Sequence, residues 1–138
     1  MIVTYYDGCC EPRNPGGNTG FGAVISKDGI ELKRLSMYSP AHPQNSNNVA
    51  EYKGLTCALE WLLENGFEKQ KTIFYGDNMM TVRQMNGQWK AKSGMYIPHY
   101  LKARDIGKRF NNLKFIWIPR EENGVADELS KAQLIKKK

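Results

Sequence analysis

The chain has 138 residues, a formal net charge of +6 and a sequence pI near 9.2. This length gives one domain that can bury a continuous core without staples, and the 41% hydrophobic and 25% charged content belongs to soluble globular proteins. No apolar run is long enough to span a bilayer, and "IVTYYDG" follows Met1 with no signal peptide between. Three cysteines, two of them adjacent (Cys9 and Cys10), form no disulfide framework and no zinc spacing, so a reducing cytoplasm is expected.

In chain order, "MIVTYYDG" alternates and predicts a strand ending at Asp7, and "CCEPRNPGGNTG" has the composition of a loop. "FGAVISKDGIELKRLSMYS" predicts two strands with Lys27-Asp28-Gly29 as their turn. After the loop "PAHPQNSNN", Val49, Tyr52, Leu55, Leu59, Leu62 and Leu63 fall at helical spacing. Asn47 or Asn48 is the expected cap of that helix, and Asn65-Gly66 its stop. "KTIFYGD" predicts a buried strand ending at Asp77, and "NMMTVRQMNG" a short helix. "IPHYLKARDIGKRF" predicts a longer helix with Pro98 in its first turn, "LKFIWIP" a strand, and "ENGVADELSKAQL" a closing helix. The order β-β-β-α-β-α-α-β-α implies an α/β fold. Its mixed five-stranded sheet has an antiparallel meander first, parallel strands later, and helices on both faces. No repeat or linker divides 1–138, and the lysines at about 136–138 are expected to form a flexible basic tail.

Residues 83–109 carry seven basic side chains against one acid, Asp105, with Trp89, Tyr96 and Tyr100 between them. Basic charge beside flat aromatics suits a nucleic-acid backbone with stackable sugars and bases, although a solvated helix face with core aromatics would look the same.

Four acids stand in unusual company. Asp7 and Asp77 end buried-looking strands, Glu51 lies in the expected first turn of the first long helix, and Asp127 sits among Val125, Ala126 and Leu129. Ligand sites of open α/β sheets lie beyond the carboxyl ends of strands, where parallel first and fourth strands would bring Asp7 and Asp77 together. Taken singly, each acid reads as a turn residue, a cap or a dipole partner. Taken together, uncompensated carboxylates would repel, and divalent cations with oxygen preference, Mg²⁺ or Mn²⁺, would relieve this. Two such ions about 3.5–4 Å apart support in-line phosphoryl transfer. Other chemistries lack their signatures. "NPGGNTGFG" has no P-loop spacing, no GxSxG is present, and His42 and His99 lie far apart in loop-like contexts beside prolines.

The blocks "YYDG", "NPGG" and "GFGAVI", then "NNVAEYKGLTCALE", "YGDNMMTVRQMNGQW" and "IPREENGVADELS", resemble in order and spacing a type 1 ribonuclease H over nearly the whole chain. The resemblance implies a ribonuclease H-like fold and an endonuclease that hydrolyses the RNA strand of RNA–DNA hybrids, leaving 5′-phosphate and 3′-hydroxyl ends. It implies two Mg²⁺ ions, with Mn²⁺ able to substitute, held by Asp7, Glu51, Asp77 and Asp127, with Val125, Ala126 and Leu129 seating the last helix. Asn14, Asn47 and Asn48 would contact the hybrid backbone and minor groove, Ser46 a DNA-strand phosphate, and Trp89 a DNA sugar, with Lys90 and Lys92 beside it. The chain would act in the cytoplasm as a monomer.

Three departures stand out. Asn78 replaces the serine common after the third acid. The mobile histidine before the last acid is missing from the short loop "PREEN", leaving Arg120 or Glu121 to support turnover. The extended basic handle is reduced to "KAKSGMYIP". A non-catalytic module binding hybrid or double-stranded RNA, and a nuclease of the same fold acting on DNA, are the competing readings.

Overall fold

The computed structural model describes residues 1–136; the last two lysines of the expected basic tail lie outside them. Five strands, β1 (Ile2–Glu11), β2 (Asn18–Lys27), β3 (Ile30–Ser39), β4 (Thr72–Gly76) and β5 (Leu113–Trp117), form one sheet in the order β3-β2-β1-β4-β5. β1, β2 and β3 pair antiparallel, whereas β4 adds parallel to β1 and β5 parallel to β4. The helices are α1 (Asn47–Glu64), α2 (Met79–Met85), α3 (Ile97–Gly107) and α4 (Gly124–Lys136), with a 3₁₀ turn at Arg120–Glu122. The β2–β3 turn is Asp28-Gly29, both at positive φ, the backbone that matches the twist of a two-residue hairpin. Among the described residues no helix is long and apolar enough to cross a membrane.

The expected element order holds, with corrections at the boundaries. β1 does not end at Asp7; it continues through Cys9, Cys10 and Glu11, which pair with Gly20, Thr19 and Asn18. The prolines that follow give this stretch the composition of a loop, but the neighbouring strand supplies ladder partners. The cap of α1 is neither Asn47 nor Asn48 but Ser46, whose Oγ accepts the Val49 amide at 3.1 Å. Glu51 therefore lies in the second turn of α1. His99 lies inside α3, not in a loop.

The main core lies between α1 and the sheet, where Tyr52, Leu55, Leu59 and Leu62 meet Tyr6, Ala23, Ile25, Phe74 and Phe115. α4 covers the opposite face of β1, β2 and β3. Close approach on both faces depends on glycine. A Cβ on Gly8 would lie 2.2 Å from the Ala50 carbonyl carbon of α1, and one on Gly20 would lie 1.9 Å from the Ser130 oxygen of α4. These contacts set α1 and α4 deep enough to carry acids toward Asp7 on β1.

Candidate active site

The parallel pairing of β1 with β4 stops at Tyr5–Tyr75, while β1 runs on beside β2 alone. The strands part there, and Asp7 projects where β4 gives way to Asp77. α1, docked on Gly8, delivers Glu51 to the same point. Carboxylate oxygens of Asp7, Glu51 and Asp77 all lie within 4.8 Å of one another. They line a cleft of about 400 Å³ together with Asn47, Asn78, Arg120, Asp127 and Lys131, among others. Asp127 stands off from the trio, with Oδ1 3.8 Å from the Arg120 guanidinium and 3.4 Å from the Lys131 ammonium. Three of the four sequence-selected acids thus converge, and the fourth lines the same cleft, turned toward two cations at its rim. Of the residues flanking Asp127, Ala126 is buried, but Val125 is 40% exposed and does not seat the helix. Ser130 and Leu134, one and two turns on, do so instead.

Burial dominates the electrostatics. Asp7 and Glu51 are each 5% exposed. Loss of water pushes the Asp7 carboxyl up to about 6, with the Asp77 and Asp127 charges adding to the rise and the Gly8 amide opposing it. Burial, then the Asp7 charge, holds Glu51 well above the usual carboxylate range. Glu51 Oε2 is buried with no hydrogen-bond partner. A buried carboxylate with an orphaned oxygen, set against two other acids, is the environment a hard divalent cation satisfies, so the residues present fit such an ion.

Asn123, which sequence reasoning did not single out, is 1% exposed. Its Nδ2 donates to Asp77 Oδ2 at 3.0 Å and to the Tyr6 carbonyl at 2.9 Å. It ties the loop before α4 to both β1 and the third acid. Trp117 Nε1 donates to the Asp77 carbonyl at 3.1 Å, a second brace. Lys131 was also missed, although its i,i+4 spacing from Asp127 was a usable signal.

Beside the cleft lies a set of amides with fixed polarity. The Cys10 N–H donates to Asn47 Oδ1 at 2.8 Å, and the Asn47 N–H donates to Asn14 Oδ1 at 3.0 Å. Backbone N–H groups only donate, so each side chain must face them with its oxygen and turn its amino group elsewhere. Buried Asn45 donates to the Gly17 and Pro40 carbonyls, holding the two loops together. Ser46, as the helix cap, sits at the start of the same helix.

The basic aromatic segment divides in two. Trp89 is 47% exposed, with the Arg83 guanidinium 5.4 Å from its ring centre, and Lys90 and Lys92 are exposed nearby. Tyr96 and Tyr100 are not stacking surfaces; both pack on Tyr52 with ring centres 5.9 Å apart. The α1 core claims them, and Lys102 pairs with Glu60 at 3.7 Å instead. Of the two turnover candidates, Arg120 lines the cleft, while Glu121 is exposed and outside its lining. His42 and His99 also lie outside the lining.

Comparison with known proteins agrees with this arrangement. The family described as reverse transcriptase-like matches residues 5–133. The bifunctional protein Rv2228c of Mycobacterium tuberculosis is 32% identical over 118 residues, 85% of this chain but 31% of its own length, so the chain spans about a third of that relative. RNase H1 from the halophilic archaeon Halobacterium salinarum superimposes with a TM-score of 0.84 at 26% identity, covering 98% of each chain. LC11-RNase H1, isolated from compost by a metagenomic approach, gives a TM-score of 0.87 at 36% identity, covering 99% of this chain and 96% of that one. The same LC11 enzyme has also been solved in complex with an RNA/DNA hybrid. Sheet order, acid placement and these likenesses lead to one conclusion: the chain belongs to the reverse transcriptase-like family, as a homologue of the type 1 ribonucleases H.

Proposed function

We propose that the protein is a metal-dependent endoribonuclease that hydrolyses the RNA strand of RNA–DNA hybrids by a two-metal-ion mechanism. The observation that carries this is the trio Asp7, Glu51 and Asp77, the first two buried and the third half-buried, with its orphaned Glu51 oxygen. A protein that only binds nucleic acid gains nothing from a desolvated anionic cluster beside its ligand, because the cluster repels phosphates. The complex of LC11-RNase H1 with an RNA/DNA hybrid supports the choice of substrate.

Asp7, Glu51 and Asp77 would hold the cations, with Asp127 completing the set from the rim. Bound Mg²⁺ supplies activation of water and charge neutralisation at the scissile phosphate, and Mn²⁺ can replace it. Asn123 fixes which Asp77 oxygen faces the cleft. Asn14, Asn47 and Asn48 present amino groups to the shallow minor groove, whose acceptors and 2′-hydroxyls need no base-specific reading. Ser46 contacts a DNA-strand phosphate, Trp89 packs on a DNA sugar, and Lys90 and Lys92 contact phosphates. Arg120 or Glu121 supports product turnover. The chain works as a single catalytic domain and as a monomer in the cytoplasm.

The test is incubation of end-labelled hybrid, double-stranded RNA and double-stranded DNA with Mg²⁺, Mn²⁺ or EDTA. The RNA strand of the hybrid alone should be cut, with 5′-phosphate and 3′-hydroxyl ends and complete inhibition by EDTA. Hybrid binding without cleavage in either metal would establish a binding module instead, and preferential cutting of duplex DNA would establish a DNA nuclease.

A further inference from the structure

Asn78 follows the third acid and caps α2, its Oδ1 accepting the Thr81 N–H at 3.0 Å. Serine would cap equally well, so capping does not explain asparagine here. The second half of the side chain does something serine cannot: Asn78 Nδ2 donates to Asn48 Oδ1 at 3.1 Å, across 30 residues of sequence. The direction of this bond follows from the backbone. The Thr81 amide can only donate, so Asn78 must present oxygen to it and nitrogen to Asn48. Asn48 must then answer with oxygen, which leaves its amino group as the free end.

The geometry points to Asn78 as a positioning residue that locks Asn48 as a hydrogen-bond donor toward the minor groove of the bound hybrid. This rests on the proposed function above and adds a specificity to it. Every base pair offers acceptors in the minor groove, purine N3 and pyrimidine O2, while guanine alone adds an amino donor. A donor-locked Asn48 therefore accepts every base at its contact step but meets guanine amine donor to donor. Asn14 and Asn47 are locked the same way by backbone amides. Asn48 is the member of the three whose lock depends on another side chain, and so the one a substitution can release. With Asn78→Ser, α2 stays capped, the Asn48 amide is free to turn, and its oxygen can accept from the guanine amine.

The experiment has two arms. In the free protein, side-chain amide NMR should show an Asn78 Nδ2 proton shifted downfield in the wild type and returned to its solvent-exposed position in Asn48→Ala. An unchanged resonance overturns the lock without any nucleic acid. In the second arm, kcat and KM are measured on hybrids carrying guanine or inosine, which lacks the amine, at each position of each strand in turn. The wild type should prefer inosine at one step, and Asn78→Ser should bring that guanine-to-inosine KM ratio close to one with overall KM raised about three- to tenfold, the scale of one neutral hydrogen bond. Asn48→Ala should give the same KM rise, and the double variant no further rise. A helix cap acting only through stability would leave the ratio unmoved. No inosine preference in the wild type, or multiplicative effects in the double variant, overturns the proposal while leaving ribonuclease activity standing. A folded wild type that neither binds nor cuts hybrid overturns the proposed function, and this inference with it.

Discussion

Asn123 donates to the Asp77 carboxylate at 3.0 Å across 46 residues of sequence. Its second bond, to the Tyr6 carbonyl, joins the loop before α4 to the strand that carries Asp7. The amide thus holds an acid of the candidate site at a fixed angle from outside the acid set. Asn123→Ala should lower cleavage about 10- to 100-fold, the usual cost of losing a partner that orients a metal ligand. It should also destabilise the fold by about 1–3 kcal/mol, because the buried Tyr6 carbonyl and Asp77 oxygen lose a donor. Urea unfolding and single-turnover assays together check this, and unchanged cleavage would remove the bracing role.

Asp7→Asn and Asp77→Asn should each abolish cleavage while hybrid binding persists, since the substitution removes charge but little volume. In EDTA the Asp7 variant should be more stable than the wild type, because one member of a repelling, desolvated cluster becomes neutral. Normal turnover by either folded variant would remove these acids from the cation site.

The raised Asp7 carboxyl sets a pH dependence. Its ordinary value is 3.8 and its folded value about 6, lifted chiefly by burial. Below 3.8 both folded and unfolded forms are protonated, and the folded state keeps the full benefit of a neutral buried acid. Between 3.8 and about 6 the unfolded chain releases its proton first, so folding loses stability as pH rises. Above about 6 the loss is complete. The melting temperature of Asp7→Asn in EDTA, relative to the wild type, should therefore climb from pH 4 to pH 6 and then level off. Mg²⁺ should stabilise the wild type more at pH 7.5 than at pH 5. A difference that stays flat over this range would exclude the ionisation of Asp7 as its cause.

Lys90 and Lys92 follow exposed Trp89 and are themselves exposed, whereas Lys102 pairs with Glu60 on α1. Replacing Lys90 and Lys92 with alanine should weaken hybrid binding and reduce the slope of log K against log salt by about one unit for each lost phosphate contact. Lys102→Ala should leave the slope close to that of the wild type. The opposite pattern would move the nucleic acid to the α3 face.

Arg120 approaches Asp127 from the mouth of the cleft, 73% exposed. Its guanidinium stays charged near neutral pH and binds phosphate through two parallel bonds, so it suits product handling rather than proton transfer. Arg120→Ala should lower the steady-state rate several-fold and leave single-turnover cleavage nearly intact, the pattern of slowed release. Glu121→Ala, outside the cleft lining, provides the comparison. Loss of single-turnover cleavage in a folded His99→Ala or His42→Ala variant would contradict this division of roles.

Local pattern was enough for the element order of this chain and for picking out Asp7, Glu51 and Asp77, which the fold brings together. Strand alternation, helical spacing and turn residues act over a few neighbours, and each of these elements is stabilised by its own apolar face. An acid inside such a face is conspicuous for the same reason, which is how Asp127 drew notice between Ala126 and Leu129. Tertiary structure decided what depends on partners far along the chain. β1 runs past Asp7 because β2 supplies its ladder. Tyr96 and Tyr100 left the candidate binding surface because they pack against the core on Tyr52, Tyr96 stacked and Tyr100 edge-on. Asp127 faces Arg120 and Lys131 while the other three acids meet, since the seating of α4 on Gly20 and Gly22 sets its reach. The polarity of Asn48 was the least legible, because it passes from the Thr81 amide through Asn78 to a helix 30 residues away. Hydrogen-bond direction is a property of a closed network, and no window of sequence contains that network.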